Sequence, residues 1–195
     1  MEKPQGKAKT VRLRQILGAA DRVVIRVPVA ADVDRFLDMA AQSRELHRPW
    51  VTPPDTQNAF REYLERYQAP DHKALVVCHR LEQNIIGVFN LSQIVRRFFQ
   101  SAYLAYYVDA RYAGQGYMTE GLRLVLRHVF VYMRLHRLEA NVQPENVRSI
   151  NLLKRCGFNQ EGYSPRYLKI DNRWRDHERW AILAESWRSS RRVKD

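Results

Sequence analysis

The sequence contains few of the residues on which secreted, membrane-spanning or zinc-binding proteins depend. Only two cysteines, Cys78 and Cys156, occur among the 195 residues, so neither a disulfide framework nor a cysteine-based zinc site can be assembled. No segment approaches the roughly 20 apolar residues of a membrane-spanning helix, and the N-terminus lacks the apolar core of a signal peptide. We therefore expect a cytoplasmic protein that has no metal site and does not contact a membrane.

Acidic residues are also comparatively scarce. The chain has 33 lysines and arginines against 21 aspartates and glutamates, a formal net charge of +12. Such an excess favours an anionic partner, such as a nucleic acid or a phosphorylated ligand, but it also fits a merely solubilising surface. The basic residues are spread along the chain, and no zinc-finger, RNP or recognition-helix pattern accompanies them. Charge alone therefore does not predict a nucleic-acid-binding protein.

Apolar periodicity predicts one mixed α/β domain over residues 21–185. Residues 1–20 are expected to form a partly loose N-terminal arm, and residues 186–195 a basic C-terminal tail. The predicted strands are 21–27, 74–78, 85–91, 102–108, 137–142, 165–170 and 173–184, and the predicted helices are 31–42, 60–67, 117–134 and 147–156. This order of elements favours a single mixed sheet without an internal domain boundary.

Three glycines lie close together in Tyr112–Gly121 (YAGQGYMTEG), just before and within the most strongly amphipathic helix. Glycine-rich turns between a strand and a helix allow an anion to approach the free amides at the helix N-terminus. Two nucleotide-binding motifs fail here: Thr119 stands where the dinucleotide fingerprint requires glycine or alanine, and Leu122-Arg123 stands where the Walker motif requires Lys and Ser/Thr. A tight turn would explain Gly114 and Gly116 equally well.

A second segment, Asn146–Phe158, gives the glycine turn a more specific meaning. Together the two segments resemble the GNAT superfamily of acyl-CoA N-acyltransferases, and more narrowly the ribosomal-protein alanine N-acetyltransferases of the Rim group. The resemblance covers about residues 21–185 and rests on the motifs GQGYMTE (114–120), NVRS (146–149), RCGF (155–158), EGY (161–163) and WRDH (174–177). The glycine loop departs from the superfamily pattern because Ala113 opens it and Met118 closes it.

The resemblance implies a single-domain α/β GNAT fold that binds acetyl-CoA as co-substrate, without a metal. It implies a mixed sheet of about seven strands with four helices, and a splay between the fourth and fifth predicted strands, 102–108 and 137–142. Main-chain amides would bind the pyrophosphate, the splayed strand would bind pantetheine, and Arg111 would add a charge. The implied cofactor-binding residues are Tyr106, Tyr107, Val108, Arg111, Gly114, Gln115, Gly116, Tyr117, Met118, Thr119, Asn146 and Ser149.

The implied reaction is direct attack of an amine on the thioester through a tetrahedral intermediate. The Val108 amide would polarise the thioester carbonyl, and Ser149 would protonate the departing thiolate. Related enzymes place a glutamate where this chain has Asn141, so another base is needed; Glu161 is the first candidate and Glu139 the second. An α-amine, with a pKa near ~7.7–8.0 against ~10.4 for lysine, needs only a mild base acting through water.

The acceptor implied by the Rim group is the N-terminal α-amine of a ribosomal protein. Trp50, Tyr163 and Tyr167 are the expected substrate-binding residues, and the basic surface is expected to dock near ribosomal RNA. The protein would act as a monomer or a homodimer. Two alternatives remain open at this stage: acetylation of a small amine such as an amino sugar or amino acid, and a ribosome- or RNA-associated factor whose transferase site has decayed.

Overall fold

The computed structural model describes residues 16–192, which form one eight-stranded sheet with helices on both faces. The strands are β1 (Ile16–Ala19), β2 (Val23–Arg26), β3 (Lys73–His79), β4 (Ile85–Val95), β5 (Ser101–Val108), β6 (Arg137–Val142), β7 (Asn159–Ile170) and β8 (Arg173–Leu183). The helices are α1 (Val33–Gln42), α2 (Arg44–His47), α3 (Gln57–Arg66), α4 (Tyr117–Arg127), α5 (Val147–Arg155) and α6 (Ala184–Arg192). None of the described helices has both the length and the apolarity to cross a membrane.

The strand order is β1-β2-β3-β4-β5-β6-β8-β7, and the β5–β6 pair is the parallel one. That ladder extends from the pair Ser101–Arg137 to the pair Tyr103–Glu139 and then stops. Beyond it, β5 continues to Val108 paired with β4, while β6 continues to Val142 paired with β8. The two strands therefore diverge into a notch, which confirms the splay expected between residues 102–108 and 137–142.

Two hydrophobic cores lie on opposite faces of the sheet. Alternate residues of β3 show the division: Leu75 and Val77 pack beneath α4 and α5, whereas Val76 and Cys78 pack beneath α1 and α3. Because both faces are covered, the central strands are continuous apolar runs rather than alternating ones. Burial raises the pKa of the Cys78 thiol to about 11, so this cysteine is a core residue and not a nucleophile.

The ends of the domain differ from the sequence prediction. Ile16–Ala19 pair with β2, so the last part of the predicted arm 1–20 belongs to the sheet, while residues 1–15 lie outside the described residues. The predicted tail begins inside α6, where Trp187 is buried with its ring centroid 5.5 Å from that of Phe130. The buried Trp187 anchors α6 to the core. The residues around it are mostly charged or polar, so the sequence gives little indication that this segment packs as a helix.

The long helix predicted over residues 117–134 is shorter in the structure. The α-helix ends at Arg127, and the chain continues through one π-helical turn, His128–Tyr132. His128 is buried at the start of this turn, 7% exposed, and burial, with a smaller contribution from Lys73, lowers its pKa to about 4. The imidazole is therefore neutral in the folded protein at pH values where an ordinary histidine is protonated.

We expect His128 to make the folded state less stable as the pH falls from about 6.5 towards 4. Below about 6.5 the unfolded chain binds a proton at this position that the folded protein does not accept, so the equilibrium shifts towards unfolding. The loss between pH 7 and pH 5 should be about 2 kcal/mol, measured by urea denaturation. His128→Leu should remove most of this pH dependence, whereas His136→Gln, at an exposed position, should keep it. An unaltered slope in His128→Leu would contradict the assignment.

Candidate active site

The backbone N–H and C=O groups of alternate residues in β5 point into the notch. The Asp109 amide donates to the Ile86 carbonyl at 2.7 Å, and Val108 lies opposite Gly87 in the β4–β5 register. This pattern makes Val108 part of a non-hydrogen-bonded pair, so its N–H and C=O are directed away from β4 and towards the notch. Tyr106, two residues earlier, has the same orientation. The structure thus provides main-chain donors at two of the three predicted strand positions, Tyr106 and Val108.

The third predicted strand position, Tyr107, has the opposite orientation: its main chain belongs to the β4 ladder and its side chain is buried against α1 and α2. Next to it, His47 Nε2 donates to the Val108 carbonyl oxygen at 2.9 Å, and Ser43 Oγ accepts from the Ala110 amide at 2.8 Å. Burial lowers the pKa of His47, so the ring is a neutral donor. The end of β5 is therefore held by Ser43 and His47 of the α1–α2 segment, which lies just before a proline-rich stretch that gives no clear sequence signal.

The glycine loop leaves the N-terminus of α4 open. Gly114 and Gly116 have φ values of +77° and +85°, a left-handed region that favours glycine, and a Cβ at Gly114 would have no atom within 4 Å. The Gly116 carbonyl accepts from the amides of Thr119 and Glu120 at 3.0 and 3.1 Å. The Thr119 amide, predicted to bind cofactor, is thus used within the helix. The preceding amides of Tyr117 and Met118 are directed out of the helix end, where the dipole favours an anion.

Arg22, in the turn between β1 and β2, contacts this loop at several points. Its Nη1 donates to the Gln115 carbonyl at 3.2 Å, its Nε donates to Glu120 Oε1 at 2.5 Å, and its guanidinium lies 4.4 Å from the centre of the Tyr117 ring. The negative charge of Glu120 in the first turn of α4 would by itself repel an anion from this helix end. Arg22 neutralises that charge and so preserves the attraction of the helix end for anions. No sequence pattern indicates this residue, because only the sheet brings it near the glycines.

Arg111, predicted to supply a charge to the cofactor, is engaged by two carboxylates. Its Nε lies 3.0 Å from the buried Asp109 carboxylate, and its Nη2 lies 2.7 Å from Asp38 Oδ2 on α1. Gln115 Nε2 in turn donates to the Arg111 carbonyl at 2.7 Å. The residue therefore fixes the start of the loop against α1, and its charge is shared within the protein.

Ser149 and Tyr106 connect α5 to β5 beside the notch. The Tyr106 hydroxyl lies 2.5 Å from Ser149 Oγ and 3.1 Å from the Ser149 carbonyl oxygen. Asn146 Oδ1 accepts from the Ser149 amide at 3.2 Å and caps α5, which leaves the amide nitrogen of Asn146 as a separate donor. Burial raises the pKa of Tyr106, so its hydroxyl keeps its proton. Ser149 is thus a fixed polar group and not a solvent-facing helix serine.

Carboxylates and tyrosines collect on the other face of the sheet, at the base of the notch. Tyr103 lies opposite Glu139 in the β5–β6 register, and Tyr167 of β7 interacts with Tyr103. Arg137 binds Glu139 at 3.0 Å and also donates to Glu161 at 3.1 Å. The hydrogen bond from Arg137 lowers the pKa of Glu161, so the predicted base is a permanently ionised, weakly basic carboxylate at neutral pH.

One of the three predicted substrate residues, Trp50, lies in a segment that borders an open cleft. The cleft, of about 310 Å³, lies between the segment that follows α2 and the β7–β8 turn; its lining includes His47, Pro49, Val51, Asp55 and Asp171. Trp50 is partly buried in that segment, with its amide donating to the His47 carbonyl at 2.7 Å. Tyr167 approaches the cluster on β5 and β6 instead, and Tyr163 donates to Asp176 Oδ2 at 2.5 Å.

Within residues 16–192, no three His, Cys, Asp or Glu side chains are grouped to hold a metal ion.

Comparison with known proteins places this arrangement in a family. Residues 22–159 match the family described as an acetyltransferase (GNAT) domain. The [ribosomal protein uS5]-alanine N-acetyltransferase of Escherichia coli strain K12 is 33% identical over 189 residues, which cover 88% of this chain and 92% of that protein.

Two solved structures have the same fold. The ribosomal-protein-S5-alanine acetyltransferase from Vibrio fischeri superposes with a TM-score of 0.78 at 25% identity, covering 87% of this chain and 97% of that one. Mycobacterium smegmatis RimJ in complex with CoA-disulfide superposes with a TM-score of 0.76 at 25% identity, covering 87% and 90%. The chain therefore belongs to the GNAT acetyltransferase family, and it is an N-acetyltransferase.

Proposed function

We propose that the protein transfers the acetyl group of acetyl-CoA to the N-terminal α-amine of a ribosomal protein. The observation that carries the proposal is the notch between β5 and β6, which has an anion-binding helix end and the Tyr106–Ser149 pair on one face and a carboxylate–tyrosine cluster on the other. Donor and acceptor can therefore meet from opposite faces of the sheet. The acceptor class is the one in the name of the relative at 33% identity, the ribosomal protein uS5-alanine N-acetyltransferase.

The residues present suit acetyl-CoA. The outward amides of Tyr117 and Met118 would hold the pyrophosphate at the positive end of α4. The open space beside Gly114 allows a bulky anion to approach. The main chain of Tyr106 and Val108, together with the Asn146 side-chain amide, would hold the pantetheine arm. When bound, acetyl-CoA supplies an activated acetyl thioester.

Three groups of this chain would act on the reacting atoms. The Val108 N–H would stabilise the oxyanion that develops on the thioester carbonyl. Ser149 Oγ would donate a proton towards the leaving sulfur while the Tyr106 hydroxyl, 2.5 Å from Ser149 Oγ, orients it by donating a hydrogen bond, and a proton from solvent would then restore the serine hydroxyl. The preserved loop, cap and hydroxyl pair argue against a decayed transferase site.

On the acceptor side, Glu139 and Glu161 would attract the positively charged N-terminus of the substrate. An α-amine with a pKa near ~7.7–8.0 is partly neutral at pH 7, so its last proton needs only a mild acceptor. We assign that role to Glu161 acting through water, with Arg137 keeping the carboxylate ionised. Trp50, Tyr163 and Tyr167 would contact the residues that follow the amine.

Steady-state acetylation of short peptides tests this proposal. A peptide that begins with alanine and copies a ribosomal-protein N-terminus should have a kcat/KM at least tenfold higher than an N-terminally blocked peptide with one lysine, because far less lysine is neutral at pH 7. Its kcat/KM should rise with pH up to about 8 as the α-amine loses its proton. Turnover of an amino sugar or free amino acid without turnover of the peptide would remove the ribosomal assignment.

A further inference from the structure

The β4–β5 turn exposes an arginine pair followed by a phenylalanine pair. It contains Arg96, Arg97, Phe98 and Phe99, and the two aromatic side chains are 100% and 74% exposed. Two adjacent phenylalanines with this exposure bury little surface in the fold and are not part of the core. The turn precedes β5, whereas the notch opens at the other end of that strand, so the exposed rings lie away from the residues assigned to acetyl-CoA.

The turn is part of a larger surface. Arg96 Nη1 donates to the Met133 carbonyl at 2.5 Å, which joins the turn to the segment after the π-helical turn. Beside it is a cleft of about 550 Å³ whose lining includes Gln100, Val131, Arg134, His136, Glu185 and Arg188. We call this surface the basic aromatic end and define it by Arg96–Phe99, Tyr132, Arg134 and Arg188. The one carboxylate in the described lining of the cleft, Glu185, is paired with His136 at 3.1 Å.

We propose that the basic aromatic end binds RNA through unpaired nucleotides. Exposed aromatic rings stack on bases that are not paired, and arginine both stacks on bases and neutralises phosphates. The cleft beside the rings offers a concave space for a base that leaves the strand. The net charge of +12 adds long-range attraction for a polyanion.

Other occupants fit the surface less well. A symmetric contact between two copies of the chain would bring this end against itself, so its arginines would face one another with only Glu185, already paired with His136, in the described lining of the cleft to balance them. A flat bilayer would touch the two phenylalanines but could not fill the cleft. An acidic peptide would use the charges and leave the rings without a partner. Unpaired RNA uses the charges, the rings and the concavity together.

This inference goes beyond the proposed acetyl transfer and does not depend on it. The surface contains none of the residues assigned to acetyl-CoA, to the reaction or to the acceptor. Variants at this end should therefore acetylate a free peptide at the wild-type rate. RNA binding and peptide turnover are independent readouts, so the failure of either proposal can be recognised separately.

Fluorescence anisotropy with an unstructured RNA of about 12 nucleotides tests the inference. Combined Phe98→Ala and Phe99→Ala substitution should weaken binding at least tenfold, because stacking is lost while the charge is unchanged. Arg97→Gln should weaken binding and lower the salt dependence by about one phosphate contact. Matched controls are Leu81→Ala, which removes another side chain that is 86% exposed, and Arg66→Gln on α3; each should bind RNA as the wild type does.

Several outcomes would overturn the inference. Wild-type RNA affinity in the double phenylalanine variant would do so, as would equal affinity for the same RNA as a duplex or for polyglutamate. Tighter binding to phosphatidylserine-containing vesicles than to RNA would assign the rings to a membrane. Sedimentation that shows a dimer lost in the double variant would assign them to a second copy of the chain.

Discussion

Gly116→Asp is expected to weaken acetyl-CoA binding at least about 100-fold, close to 3 kcal/mol of binding free energy. Gly116 is the N-cap of α4 with φ at +85°, a conformation that side-chain-bearing residues adopt at a cost. A Cβ there would lie 3.2 Å from Arg22 Nη2, which favours an ion pair between the new carboxylate and that arginine. The carboxylate would also accept hydrogen bonds from the outward amides of α4, the groups we assign to the pyrophosphate.

Titration calorimetry with acetyl-CoA measures this effect, and two further variants separate its causes. Gly114→Ala has the same kind of backbone strain, at φ +77°, but places its methyl group in open space, so its affinity should fall less than tenfold. Gly116→Ala adds strain and contact without charge and should lie between the two. Near-wild-type affinity in Gly116→Asp would refute the assignment of the α4 amides to the pyrophosphate, whatever the activity of the variant.

Gly121, the third glycine of the loop region, shows which part of the glycine pattern the sequence could explain and which part required the structure. The spacing of Gly114, Gly116 and Gly121 predicts a turn, a ligand approach or close packing, without assigning one role to each glycine. The structure gives the first two positive φ values, whereas Gly121 lies inside α4 where a Cβ would come within 2.8 Å of Val77 Cγ2. The local sequence indicates that glycine is needed in this region. The reason at Gly121 is the close approach of α4 to the sheet, and that distance depends on the whole fold.

The same distinction applies to the rest of the site. The strands and the main helices follow from periodicity, which is a local property, whereas the divergence of residues 102–108 from 137–142 is implied only by the resemblance to the GNAT family. Arg22 and His47 are brought to the site by tertiary packing, and no pattern near them in the chain indicates a role. Arg111 shows the converse: it lies next to the loop in sequence, yet the buried Asp109 and Asp38 engage its charge.

Ser149→Ala is expected to lower kcat at least about 100-fold, the usual scale for loss of a positioned proton donor, while the KM for acetyl-CoA changes less than threefold. This substitution removes only the hydroxyl group of the side chain. The Asn146 cap bonds to the main-chain amide of residue 149, at 3.2 Å, so α5 should begin at the same residue in the variant. An unchanged thermal unfolding midpoint would confirm that the loss is catalytic and not structural.

The Tyr106–Ser149 pair predicts an ordered set of effects for its members. Tyr106→Phe keeps the serine but removes the hydroxyl that lies 2.5 Å from it, so kcat should fall about tenfold, less than in Ser149→Ala. Ser149→Thr keeps a hydroxyl and should recover most of the lost activity. If Ser149→Ala turned over at the wild-type rate, or if Ser149→Thr were no better than Ser149→Ala, then the serine would only join α5 to β5. Protonation of the leaving sulfur would in that case have to come from solvent.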